Sequence, residues 1–265
     1  MPQTGVEFTG SPSDTIWLMF TVEYRRRVRE GLLEKARSDK RVVAGAEVGS
    51  TAVGGGDRWS DLDLAFGVAD DVDITALLSD WTAELAEQFS AIHLFDVSLQ
   101  SSIYRVFVLP GNLQVDLSFS PRAEFGPVGP KFTLLFGTAV ARNVVERPSA
   151  DHIFGLGAHH AVRARICIER GRVWQAEYWI SGVRDQALAL ACRLRGLEPG
   201  NGRGFDDLPA DILDGLDAAL VRSLEREELM RALNRAVDGL LSAAANQKDV
   251  GPGIEEQLRA LTADA

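Results

Sequence analysis

Five residues of this 265-residue chain have types and spacings suited to phosphate chemistry: Gly49, Ser50, Asp61, Asp63 and Asp116. In the segment 61–68 (DLDLAFGV), Leu62, Leu64 and Phe66 alternate with Asp61 and Asp63 at its start. As a strand, it puts the apolar residues on one face and both carboxylates on the other, roughly 7 Å apart. The segment 113–119 (LQVDLSF) behaves the same way, with Leu113, Val115, Leu117 and Phe119 apolar and Asp116 among Gln114 and Ser118. If the two strands pair, three carboxylates cluster. Such a cluster repels itself strongly unless a cation neutralises it. Hard oxygen ligands of this kind suit Mg²⁺ or Mn²⁺. Gly49-Ser50 ends the preceding strand. A glycine there allows close backbone approach to a phosphate, and the serine hydroxyl and nearby N–H groups can hold its oxygens. Two metals on the carboxylates would bridge the phosphates and activate a hydroxyl for in-line attack at the α-phosphorus.

Elements must position these residues. Apolar spacing through Ile16, Phe20, Tyr24, Val28 and Leu32 predicts a helix over 14–37, with Asp14 as a cap. Strands are expected at 41–48 and 61–68, separated by a glycine-rich loop at 51–60. A helix follows from Asp73 or Ile74 to about Ser90. Further strands are expected at 92–99, 103–109 and 113–119, the last two forming a hairpin around Pro110-Gly111-Asn112. The stretch 120–131, with three prolines and two glycines, reads as a loop. Beyond Pro148 the pattern becomes helical: 149–170 capped by Ser149 and ended by Gly171, 172–195 ended by Gly196, then 209–223, 226–246 and 253–263. The domains are placed at 1–147 and 148–265.

Composition narrows the classes. A hydrophobic fraction of 46% and a charged fraction of 25% are ordinary for a globular chain. No apolar run approaches the ~20 residues of a membrane span, and Met1 to Asp14 holds no signal-peptide core. The expected location is cytoplasmic. Cys167 and Cys192 have no metal-ligand spacing and read as buried thiols. The net charge of −10 disfavours nucleic acid as a partner and favours a cationic small molecule.

The stretch GSTAVGGGDRWSDLDLAF resembles the signature of the polymerase-β-like nucleotidyltransferases. That signature is a Gly-Ser pair, a spacer of some ten residues, an Asp-x-Asp between apolar residues, and a third acid on a later strand. A catalytic first half before a helical second half is similar to the aminoglycoside and lincosamide antibiotic nucleotidyltransferases. The resemblance implies an α+β fold: a short mixed sheet with flanking helices, then a helical bundle. It implies transfer of a nucleoside monophosphate from an NTP, ATP by expectation, to a hydroxyl of a small molecule, with pyrophosphate released. Asp61, Asp63 and Asp116 would hold Mg²⁺ or Mn²⁺, and Gly49 and Ser50 the triphosphate. The helical half would supply most of the acceptor pocket. Enzymes of this kind often dimerise, so a homodimer is an expected state.

Several assignments carry alternatives. Glu177, Ser181, Arg184 and Asp185 share one helix face flanked by Trp174 and Tyr178. Glu177 is a candidate general base or acceptor ligand, or a member of a surface ion-pair network. Asp116 is the competing base. His159 and His160 read as helix-surface residues, and Trp59, Trp81, Trp174 and Trp179 as core or interface residues. Arg58 could reach a phosphate or be a solvated loop residue. The run Tyr24-Arg25-Arg26-Arg27 with Arg29 could bind phosphate or tRNA, but reads first as the solvated face of the first helix, whose turns also carry Glu23 and Glu30. A tRNA or protein acceptor, and a non-catalytic nucleotide-binding module, are the alternative functions.

Overall fold

The computed structural model describes residues 19–142, 147–245 and 254–263. The chain divides into two compact units, 1–145 and 146–265. The architecture is α+β: a mixed sheet with flanking helices, then a run of helices.

The first unit contains helix α1 (Val22–Ser38), strand β1 (Val42–Val48), strand β2 (Leu62–Val68), helix α2 (Ile74–Phe89), and strands β3 (Ile92–Leu99), β4 (Ser102–Leu109), β5 (Leu113–Pro121) and β6 (Phe132–Phe136). The sheet order is β3-β4-β5-β2-β1-β6. Only β2 and β5 run parallel, and the other neighbours are antiparallel. The expected hairpin is β4–β5, closing on Leu109 opposite Leu113.

One sheet face packs against the helices. Leu62, Leu64, Phe66, Leu113, Val115, Leu117 and Phe119 lie there with Leu32 and Leu33 of α1 and Leu77, Leu78 and Trp81 of α2. Phe66, Trp81 and Phe119 meet with ring centroids 5.1–5.3 Å apart. The Trp81 indole donates to Asp39 Oδ2 at 3.0 Å. Arg41 grips the same carboxylate at 2.8 and 2.9 Å. This polar clasp lets a wholly buried tryptophan satisfy its N–H.

The second unit comprises α3 (Ala150–Glu169), α4 (Val173–Leu194), α5 (Ala210–Asp217), α6 (Arg226–Ala244) and α7 (Glu255–Thr262). Its core is rich in small residues: Ala161, Ala164, Ala176, Ala187, Ala191, Ala232 and Ala236 are fully buried. They allow close packing of α3, α4 and α6. Ser149 caps α3 by accepting from the His152 N–H at 3.2 Å. Gly171 and Gly196 adopt positive φ after α3 and α4, and the next residue in each case donates back to the helix, Arg172 to Cys167 O and Leu197 to Cys192 O. Both cysteines are buried and free. Among the described residues no helix is long and apolar enough to cross a membrane.

Four elements differ from expectation. The first helix starts at Val22, capped by the Thr21 hydroxyl, because Phe20 is drawn out of the helix by its N–H bond to Gly111 O at 2.8 Å. The expected cap Asp14 lies outside the described residues. The expected loop 120–131 is partly ordered: β5 runs to Pro121 and a 3₁₀ turn follows at Arg122–Glu124. Strand β6 adds to the expected elements; the five residues FTLLF become a strand where β1 offers them an edge. Helix α5 stops at Asp217 rather than reaching 223, since Arg231 of α6 takes the carbonyls of Ala218 and Leu220.

Two outcomes follow. Phe66→Ala should cost about 3–5 kcal/mol of unfolding free energy in urea titration, because the Trp81–Phe119 pocket cannot close around the void. The Arg41 contact holds the Asp39 carboxyl down at about 2, against 3.8 ordinarily. A depressed carboxyl stabilises the fold above its unfolded pKa and loses that contribution as pH falls toward its folded one. Thermal unfolding between pH 4 and pH 2 should therefore fall less steeply in Asp39→Asn than in the parent.

Candidate metal centre

The centre is assembled at one end of the β1–β2–β5 segment. After Val48 the chain turns at Gly49, which has φ +74°. An added Cβ there would stand 2.0 Å from Asp63 Oδ2. The position thus requires glycine twice over, for its left-handed backbone and for the carboxylate packed against it. Ser50 follows in helical conformation and leads into a 3₁₀ turn, Thr51–Val53. Thr133 of β6 ties this turn down by donating to Ala52 O at 2.5 Å.

The remaining loop is braced from α1. The Arg25 guanidinium donates to Asp57 O at 2.8 Å and Ser60 O at 2.6 Å. Asp57 and Ser60 form a local turn, with Trp59 N–H donating to Asp57 Oδ1 at 2.8 Å and Asp57 N–H to Ser60 Oγ at 3.0 Å. The Trp59 N–H is the main reason that the Asp57 carboxyl is held below its ordinary pKa. This bracing fixes the chain just ahead of Asp61.

Asp61 immediately precedes β2. Asp63 lies within it, directly opposite Asp116 of the parallel β5. The alternation expected from sequence holds: Leu62, Leu64, Val115 and Leu117 are buried under the helices, and the acids occupy the opposite face. One carboxylate oxygen from each of Asp61, Asp63 and Asp116 lies within 4.8 Å of the others, and all three residues are half-buried. This is the one such group of His, Cys, Asp or Glu among the described residues. Gln114 donates to both oxygens of Asp116, at 3.0 and 3.2 Å. Asp116 nevertheless has a raised pKa, first because it is buried and further because Asp61 is close, with the Gln114 bond opposing both.

This donor set fits a hard divalent cation. Three convergent carboxylate oxygens match the oxygen preference of Mg²⁺ or Mn²⁺, and the elevated Asp116 shows the electrostatic cost that a cation would remove. A cavity of about 420 Å³ adjoins the cluster, lined in part by Phe20, Ser50, Trp59, Asp61 and Gln114. The larger cavity of about 760 Å³ lies within the helical unit among α4, α5 and α6, and holds none of the three acids.

The other candidate residues have the following surroundings. Glu177, on α4, is half-buried and accepts from Ser181 Oγ at 2.7 Å. Arg184 pairs with Asp185 at 3.1 Å. Of the tryptophans expected in a core or interface, Trp81 is fully buried, whereas Trp174 and Trp59 are 75% and 54% exposed and lie outside the core; Tyr178 is 66% exposed. The Arg58 guanidinium sits 4.0 Å from the Trp59 ring centroid. His159 is exposed and His160 half-buried, with His160 packed on Trp179 at 5.0 Å. The basic run of α1 is more engaged than a solvated face: Arg26 pairs with Glu23 and Glu30, Arg29 with Glu47, and Arg25 braces the loop. Arg25 and Gln114 are thus supporting residues that sequence patterning did not single out for those roles. The only sequence signal for Arg25 was its place on the helix preceding the Gly-Ser strand.

No family model and no curated protein matches the chain. Among solved structures, it is similar to the crystal structure of an aminoglycoside 6-adenyltransferase from Bacillus subtilis, at 14% identity over 90% of this chain and 97% of that chain, with a TM-score of 0.39.

Gly49→Ala should force the Asp63 carboxylate aside and strain the turn. We expect a stability loss of about 1–3 kcal/mol and at least a tenfold loss of Mn²⁺ affinity, read by electron paramagnetic resonance. Unchanged affinity would show that Gly49 does not set the position of Asp63.

Proposed function

We propose that the chain is a metal-dependent nucleotidyltransferase, which transfers a nucleoside monophosphate from an NTP, ATP in the first instance, to a hydroxyl of a small molecule. The observation that carries this reading is the meeting of Asp61, Asp63 and Asp116 within 4.8 Å, beside a turn that only glycine can make. Asp61, Asp63 and Asp116 would hold Mg²⁺ or Mn²⁺. Such ions neutralise phosphate charge and lower the pKa of an oxygen bound to them. Gly49 and Ser50, with the backbone of the following turn, hold the triphosphate. The acceptor oxygen bonds to the α-phosphorus as the bond to the bridging oxygen of pyrophosphate breaks, and pyrophosphate leaves.

The hydroxyl proton needs an acceptor. The raised pKa of Asp116 supports that residue in the role. Glu177 is the competing candidate, or an acceptor ligand; its half-buried carboxylate and the exposed Trp174 and Tyr178 beside it in sequence would suit a cationic sugar or ring. The net charge of −10 favours a cationic acceptor such as an aminoglycoside, with a lincosamide as the related option. A tRNA acceptor would need a basic stripe, and on α1 Arg25, Arg26 and Arg29 are engaged by partners within the first unit. A purely nucleotide-binding module has no need of three complete metal ligands.

Incubation with Mg²⁺, each labelled NTP, and a panel of aminoglycosides and lincosamides should give labelled acceptor and pyrophosphate. Asp63→Asn should reduce the rate at least a hundredfold without lowering the unfolding temperature. Absence of product with every NTP and acceptor would remove the antibiotic assignment.

A further inference from the structure

Strand β3 (IHLFDVSL) forms an edge of the sheet and reverses the usual orientation of a half-buried strand. Its register on β4 slips between His93 and Phe95, leaving Leu94 as the extra residue. Beyond the bulge, Asp96 pairs with Arg105 and Ser98 with Ile103, whereas Phe95 pairs with Val106 and Val97 with Tyr104. The polar residues therefore share the helix-covered face. There Asp96 accepts from Arg105 at 2.6 and 2.7 Å and contacts His93 at 3.0 Å, while Arg105 also donates to Leu78 O and Thr82 Oγ1 of α2. The apolar residues are left outside: Ile92, Leu94, Phe95, Val97 and Leu99 are 43–63% exposed.

Edge strands of monomeric proteins are normally guarded by lysine, proline or a cover, because their free N–H and C=O groups template further pairing. Strand β3 has neither lysine nor proline. The opposite edge behaves differently. On β6, Phe132 packs on Phe125, Leu135 and Phe136 pack on the main core, and Leu134 alone among its leucines and phenylalanines is strongly exposed.

We propose that β3 is a homodimer interface, pairing antiparallel with β3 of a second copy about a two-fold axis at Val97. A two-fold axis perpendicular to the sheet keeps each face continuous, so residues of like facing must meet. Centring on Val97 sets Val97 against Val97 and Phe95 against Leu99 on the open face, and Asp96 against Ser98 on the other. Every apolar side chain of the paired stretch meets another, and no like charges are opposed. Centring on Asp96 would face two carboxylates directly. Centring on Phe95 would set Asp96 against Leu94 and run the pairing through the bulge. The Val97 register ends before the bulge and uses residues 95–99 alone. Both carboxylate clusters then lie on the same face of one continuous sheet, about five strand spacings (~24 Å) apart across it and about four residues (~13 Å) apart along it. A strand pair is small beside the ~800 Å² per partner of a standard interface, so the dimer should dissociate on dilution through the micromolar range. The inference is independent of the chemistry assigned to the carboxylates.

Sedimentation equilibrium from ~1 to ~200 μM should show the mass rising from one chain toward two. Val97→Lys should hold it at one chain, with an unchanged circular dichroism spectrum. Val97→Cys should form a disulfide-linked dimer on mild oxidation, because identical residues meet on the axis, whereas Phe95→Cys should not, because its partner is Leu99. The native cysteines are buried, so the parent should stay unlinked. A one-chain mass for the parent at every concentration would overturn the proposal. So would a dimer that survives Val97→Lys and gives no linkage at position 97. The exposed face would then belong to the acceptor or to another protein.

Discussion

Three carboxylates that repel one another are held within 4.8 Å on a half-buried face, and much of the first unit can be understood as the means of holding them. The parallel β2–β5 pairing is the principal restraint. It sets Asp63 directly opposite Asp116 and is the sheet's one parallel contact. A parallel pair cannot be closed by a tight turn. Helix α2 and the β3–β4 pair fill the long connection, and α2 brings Trp81 to the Phe66–Phe119 contact. The core beneath the acids and the acids themselves are therefore products of the same two strands.

The loop before β2 solves a second problem. It must reverse after Gly49 and bring Asp61 back beside Asp63. A flexible connection would let Asp61 retreat from its like-charged neighbours. Arg25 prevents this by clamping Asp57 O and Ser60 O, and Gly49 makes room for Asp63. Burial first, and then the nearness of Asp61, raise the Asp116 pKa, so its carboxylate charge carries a cost in this fold. A divalent cation would relieve it, so the cation and the fold should stabilise each other.

The site was legible in the sequence because strand alternation is local information. Leu62, Leu64 and Phe66 alternating with Asp61 and Asp63 can mean little else, and the same holds around Asp116. The fold was legible where periodicity was long, as in α3, α4 and α6. It was not legible at β6, where the five residues FTLLF after a glycine- and proline-rich stretch become a strand through β1. At β3 the strand 92–99 was legible, but its facing was not. Its bulge shifts the facing of every later residue, so the alternation of the letters does not report which side chains are covered. The helix starting at Val22 and the early end of α5 depended on single distant partners, Gly111 and Arg231.

The central claim is that Asp61, Asp63 and Asp116 form a metal site. Calorimetric titration of the chain with Mn²⁺, beside Asp63→Asn and Asp116→Asn, tests it most directly. The account predicts saturable binding of one or two ions that each variant weakens at least tenfold. Binding of equal strength in all three proteins, or none in the parent, would contradict it.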